Sequence, residues 1–320
     1  MNTGSPAIPG RFTLLDAVLL AATALVWGAA YVFIRQGILL GAAPLPFAAV
    51  RYLLSAVGFA ALATARREPF PTRRALLTSA SVGGILIIGL YGGFLYWGEQ
   101  YTTGGYAAVL ASVAPLLTVA WGFPLLASER LGVRGLTGMA VGFVGSAVLV
   151  YPELTGTNAI GSWQGAVFVL AAMVSTSFGT VLLRRVGHGP QGLWQIGSQF
   201  VVAGLLLSAA SAVIPSSRAF PLTVGVLEAL AFLVALSSLV GYFAYFALHH
   251  RVGPVRANIV AYLAPLVGVG VGTGLFAEAL TVWEVVGVIV VLAGVSLVLW
   301  ESSRRSRAPA KPSGAGSSGS

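Results

Sequence analysis

The sequence predicts an all-α polytopic membrane protein of ten transmembrane helices, arranged as two inverted five-helix repeats. Composition, the placement of basic residues and an internal repeat lead there. Of 320 residues, 57% are hydrophobic and only 8% charged, and the mean hydropathy is +0.89. A soluble domain of this length needs far more charge on its surface. At ~20 apolar residues per crossing plus a short connection, the length accommodates about ten crossings. The absence of cysteine excludes disulfides, thiolate metal sites, iron–sulfur clusters and cysteine nucleophiles.

Uncharged apolar runs lie near 14–34, 45–65, 75–97, 103–126, 133–151, 161–183, 191–214, 222–248, 254–276 and 281–300. The first is longer than a signal-peptide core and carries only Arg11 before it, so it reads as a span. Short cytoplasmic loops collect Lys and Arg. With residues 1–13 cytoplasmic, alternate connections place 15 of the 18 basic residues on that side, leaving Arg35 and Arg218 opposite and Arg51 inside the second span. Both termini are therefore expected in the cytoplasm of a cell with this chain in its inner membrane. The net charge of +9 is a topology signal and not a nucleic-acid footprint. Residues 301–320, rich in Ser, Gly, Pro and Arg, read as a disordered cytoplasmic tail.

The halves 14–151 and 161–300 match at an offset of about 150. Arg35 falls on Arg185, Gly37 on Gly187, Ala111 on Ala261, Pro115 on Pro265 and Leu116 on Leu266; after a one-residue gap, Glu129 falls on Glu278, Gly138 on Gly287 and Gly145 on Gly294. Five spans per copy is an odd number, so the second copy enters the membrane from the other side. Inverted repeats of this kind let a carrier expose one midplane site to each face in turn.

Several of these residues carry a resemblance. Trp27-Gly28 in the first span, Arg51 in ProPheAlaAlaValArgTyr (46–52), and the blocks AlaAlaValLeuAlaSerValAlaProLeuLeu (107–117) and AlaAsnIleValAlaTyrLeuAlaProLeuVal (257–267), followed by Glu129 and Glu278, resemble the drug/metabolite transporter superfamily, EamA-type. The resemblance covers nearly all of 14–300. It implies a ten-helix carrier that exports amino acids or other small metabolites, and it is most similar to aromatic amino acid exporters. The second half has Ser177 and Phe178 where the first has Trp27 and Gly28, so the halves are not expected to contribute equivalent groups to a site.

Pro115 and Pro265 sit mid-span and remove a backbone bond to Ala111 and Ala261, which makes them candidate hinges. Glycine stripes at 135, 138, 142 and 145 and at 268, 270, 272 and 274 allow close helix packing, the former against the tenth span. Trp163, Trp283 and Trp300 fall at span ends, as interfacial belts require. Trp27, Tyr31, Tyr91, Tyr96, Trp97, Tyr242, Tyr245 and Tyr262 lie deeper, and with Ser112 and Asn258 they are the candidate solute-binding residues.

Intramembrane charge is sparse. Asp16, Glu99, Glu129, Glu153, Glu278, Glu284 and Glu301 fall at span ends, Glu228 lies about two turns into the eighth span, and Arg51 reads as a snorkelling or paired arginine. The expected mechanism is therefore uncoupled facilitated diffusion by alternating access. A proton-coupled multidrug or metabolite exporter using Glu228 is the mechanistic alternative. His188, His249 and His250 have no close acid, so no metal site or hydrolytic triad is expected, and no GxxxxGK[ST] is present. No cofactor is implied, and the chain is expected to act as a monomer on a small aromatic or amphipathic solute in the lipid bilayer. A non-transporting membrane sensor or scaffold, or an intramembrane enzyme, would instead show binding without flux, or product formation.

Overall fold

The computed structural model describes residues 13–125, 132–149, 151, 163–186, 192–214, 220–252, 257, 259–267 and 282–305, and among these the only regular secondary structure is helical. The helices are α1 (Leu14–Leu39), α2 (Pro44–Ala65), α3 (Arg73–Gly98), α4 (Gly104–Ala111), α5 (Ala114–Leu125), α6 (Val133–Leu149), α7 (Trp163–Arg185), α8 (Leu193–Val213), α9 (224–252) and α10 (Val282–Arg305). Residues 260–267 are also helical. Six helices are long and apolar enough to cross a bilayer, namely α1, α2, α3, α7, α8 and α9, and three shorter apolar stretches lie at Tyr106–Gly122, Val133–Val148 and Val285–Val298. Only helices or closed barrels satisfy the backbone in hydrocarbon. The chain is a multi-pass membrane protein.

Helix boundaries follow local chemistry. Thr13 and Asp16 form a reciprocal capping box that starts α1. Gly41 turns the chain with φ +99, a conformation open to glycine, and Pro44 starts α2 where a missing N–H costs nothing. Thr72 and Thr103 cap α3 and α4 by accepting from the N–H groups of Ala75 and Tyr106. The expected span 103–126 is interrupted at Ser112–Val113, one turn before Pro115. Pro115 cannot donate to the preceding turn, and the Ser112 hydroxyl donates back to the Val109 carbonyl at 2.6 Å. Pro115 thus becomes the second residue of a new helix.

Two helices contain wide π-helical turns, Ser79–Leu90 in α3 and Phe232–Val240 in α9. Leu90 and Val240, where the turns end, are themselves 150 residues apart. Packing follows the same symmetry: α2 packs on α8, α6 on α10, and the pair α1 with α9 is mirrored by α7 with α3.

The short connections define two ends. At the first, where α1 begins, Arg251 of α9 pairs with Asp16. At the second, Gly37 of α1 meets the Phe47 ring, and Arg35 donates to the Glu99 carbonyl. Outward faces are apolar, as hydrocarbon requires: Val57, Leu205 and Ile289 are each more than half exposed. Trp163, Trp283 and Trp300 are exposed near helix ends, matching the expected belt.

The glycine stripe of α6 packs on α10. A Cβ on Gly294 would sit 2.4 Å from the Gly142 nitrogen, and one on Gly145 would sit 2.6 Å from the Val291 nitrogen. Stripe positions 268–274 lie outside the described residues. Gly294→Val should cost about 1–3 kcal/mol by overpacking, read as a lower Tm in detergent. Gly122→Ala, where an added Cβ meets nothing within 4 Å, should leave Tm unchanged.

Candidate functional site

The bundle encloses a cavity of about 460 Å³ lined from α1, α2, α3, α4, α5, α7, α8, α9 and the helical residues 260–264. That volume suits a small organic ligand. From α1 comes the stripe Trp27, Ala30, Tyr31 and Ile34, whose spacing of three and four puts them on one face. From α3 come Tyr91 and Leu95, and from α9 Tyr242, Tyr245 and Phe246, again one face each.

The aromatic wall is tightly built. The Trp27 ring lies 5.3 Å from Tyr242 and 4.9 Å from Tyr245, and Tyr242 meets Phe200 edge-on at 5.2 Å. Trp27 Nε1 donates to the Ser237 carbonyl at 3.2 Å. That carbonyl belongs to the π-helical stretch of α9, where the backbone bonds are displaced. Gly241 leaves room for the indole, since a Cβ there would fall 2.5 Å from Nε1. Gly28 serves the other side of α1, where a Cβ would meet Val267 at 2.6 Å. The Trp-Gly pair is thus one cavity residue followed by one packing residue.

Arg51 is the polar centre. It lines the cavity yet is only 7% exposed. Its Nη1 donates to Tyr96 Oη at 2.9 Å, Nη2 to Ser237 Oγ at 2.9 Å and Nε to Ser238 Oγ at 3.3 Å, and its Cζ lies 5.4 Å from the Tyr52 ring centre. Every described partner is neutral. Of the two expectations for this arginine, snorkelling or paired, the buried side chain is a paired one, held by Tyr96 of α3 and by the Ser237 and Ser238 hydroxyls of α9.

The second end of the bundle is packed shut. Phe33 stacks on Phe232 at 3.9 Å, Phe47 packs against Tyr96 and Phe220, and Ala42, Ala43, Phe47, Glu99 and Thr102 have no exposed surface. Glu99, expected at a span end, is therefore fully buried. Among the described residues, neither of its carboxylate oxygens has a hydrogen-bond partner, nor has the Thr102 hydroxyl. The tight packing of α1, α2 and α7 around the end of α3 encloses it. Towards the first end the lining continues through Thr180 and Leu183 to Arg184 in the last turn of α7.

Of the residues singled out from the sequence, Trp27, Tyr31, Tyr91, Tyr242 and Tyr245 line the cavity, as does Pro115. Tyr96 stands behind it, accepting from Arg51. Trp97 packs on the main core away from the lining, Ser112 spends its hydroxyl on the interrupted helix, and Tyr262 is buried beside Gly142, its hydroxyl without a partner among the described residues. Pro265 lies within helical residues 260–267, outside the lining, and Asn258 lies outside the described residues. Glu228 is on the exposed face of α9. The sequence reading passed over Gln199, Ser237 and the hydroxyls of Thr118, Thr176, Ser177 and Thr180. Their only signal was polar character inside apolar runs.

The EamA-like transporter family model matches residues 15–151 and 163–300. The chain belongs to the EamA-like transporter family. It is 32% identical over 270 residues to the uncharacterized inner membrane transporter YedA of Escherichia coli K12, covering 83% of this chain and 85% of that one. It is 27% identical over 291 residues to a probable amino-acid metabolite efflux pump of Salmonella typhimurium, covering 88% and 93%. A solved crystal structure superposes with a TM-score of 0.69 at 18% identity, covering 91% of this chain and 98% of the other, a likeness of fold. The membership makes the chain a membrane transporter of a small-molecule solute.

The naturally cysteine-free chain allows a direct check of which end is accessible. A water-soluble maleimide should label Thr180→Cys rapidly and Thr102→Cys at least ten-fold more slowly, read by mass spectrometry of the folded protein.

Proposed function

We propose that this transporter is an inner-membrane carrier that exports small amino acid-type metabolites, with preference for aromatic ones, by alternating access and without a coupling ion. It comprises ten spans in two inverted repeats, 14–151 and 161–300, with both termini cytoplasmic. The observation that carries this reading is the central cavity walled by Trp27, Tyr31, Tyr91, Tyr242 and Tyr245. Ring faces of this kind bind a planar apolar body, and each well-placed aromatic pair adds about 0.5–1.5 kcal/mol beyond area burial.

The two stretches matched by the family model, the π-helical turns ending 150 residues apart and the mirrored helix pairs support the repeat. The excess of basic residues on one side supports the orientation. In that orientation the packed end faces outward and the cavity points to the cytoplasm, the state that loads an exported solute. The helix interruption at Ser112–Val113 beside Pro115, a cavity-lining residue, supports a hinge there for the motion between states. The likeness to an amino-acid metabolite efflux pump supports the solute class.

Counterflow in proteoliposomes with radiolabelled Trp, Phe, Tyr, Thr, Ala and Lys tests this reading. The aromatic members should move at least ten-fold faster than the others with no ion gradient imposed, and Tyr242→Ala should reduce that flux about ten-fold. Flux of none of them removes the aromatic amino-acid assignment.

One observation favours a proton-linked second reading. Glu99 is fully buried, with no described residue hydrogen-bonded to either carboxylate oxygen, and a carboxylic acid in such a place is favoured over the bare anion. Under this reading a threefold or larger response of flux to an imposed pH gradient appears in the native chain and is lost in Glu99→Gln. Under the uncoupled reading both proteins ignore the gradient.

A further inference from the structure

Resting on the carrier reading above, we infer that the solute crosses as an organic anion whose carboxylate is taken by Arg51. A guanidinium has five N–H donors. Three are spent on Tyr96, Ser237 and Ser238, which leaves one hydrogen on Nη1 and one on Nη2 without a described acceptor, on a side chain that faces the cavity. Two N–H groups on adjacent nitrogens match the two oxygens of a carboxylate.

The charge count points the same way. No aspartate or glutamate is among the described lining residues. The Glu99 carboxylate stands outside the lining and makes no hydrogen bond to any described residue, Arg51 included. Arg51 thus faces a lining with no carboxylate among the described residues, a positive charge that a solute anion completes. A buried cation without such a partner is unfavourable. By contrast, the hydroxyls of Thr118, Ser177 and Thr180 are donated to backbone carbonyls, so an ammonium entering the cavity meets only neutral acceptors. An aromatic or apolar carboxylic acid is the best fit, a zwitterion is second, and an amine is disfavoured.

This chemistry also supplies a driving force for export that needs no coupling ion. With the interior negative, an anion moves outward downhill, and 100 mV supports a gradient on the order of 50-fold per unit charge.

Three probes that share one ring separate these cases: 3-phenylpropanoate, phenylalanine and phenethylamine, each loaded into proteoliposomes containing the full chain. The expected result is efflux at least ten-fold faster for the acid than for the amine, with phenylalanine between. A potassium–valinomycin potential, inside negative, should drive the acid outward towards that gradient. Arg51→Met should erase the acid-over-amine ratio. Ser237→Ala with Ser238→Ala, which leaves the charge but removes its alignment, should raise the KM for the acid at least threefold with a smaller change in maximal rate, and it guards against a misfolded Arg51 variant. Amine flux equal to acid flux, or an acid distribution that ignores the potential, overturns the inference while leaving the carrier reading in place. Flux of none of the three overturns both.

Discussion

A positive charge buried in a helix bundle is the constraint around which this protein is organised. Arg51 lies on α2, only 7% exposed, and hydrocarbon offers nothing to solvate it. It is held because α9 departs from α-helical geometry over Phe232–Val240 and presents Ser237 and Ser238 towards α2. The same stretch frees the Ser237 carbonyl to accept from Trp27. One local irregularity thus joins α1, α2 and α9, fixing a charged group and an aromatic wall on the same cavity. In the first half, the positions corresponding to Ser237 and Ser238 are Ile87 and Ile88, and the position corresponding to Arg51 in the second half is Val201. Positions 150 residues apart in these matched helix pairs thus carry different chemistry.

The remaining packing serves this arrangement. Glycines bring helices together where no hydrophobic effect drives them, most closely where α6 meets α10. At the second end, Phe33, Phe232, Phe47 and Phe220 form an apolar seal with Arg35 and Glu99 beside it. A seal of stacked rings can separate without breaking covalent or strong polar bonds, which suits the alternating access proposed above.

Much of the fold was legible in the sequence, because apolar runs between charged connections are dictated by the bilayer itself. Helices occupy nine of the ten expected spans nearly throughout and residues 260–267 of the ninth. The site was legible only in part. Trp27, Tyr31, Tyr242 and Tyr245 were recognisable as deep aromatics, and helical spacing put the α9 pair on one face. Tyr96 follows Tyr91 by five residues, about 140° around the helix axis, so both cannot face one cavity, and only Tyr91 does. The π-helical turns carry no composition that marks them. Arg51 and its serines are close only after folding, so no spacing reveals them, and Glu99 looks terminal along the chain while being enclosed by three helices in space.

On the proposed alternating access, the ring seal at the second end and the cavity belong to one cycle. A chain with Phe33→Cys and Phe232→Cys, joined by a short bifunctional thiol reagent, tests this directly because no other cysteine is present. The account predicts that crosslinking stops solute flux in proteoliposomes while solute still binds to the detergent-solubilised protein, and that cleaving the linker restores flux. Undiminished flux through the crosslinked protein would contradict it.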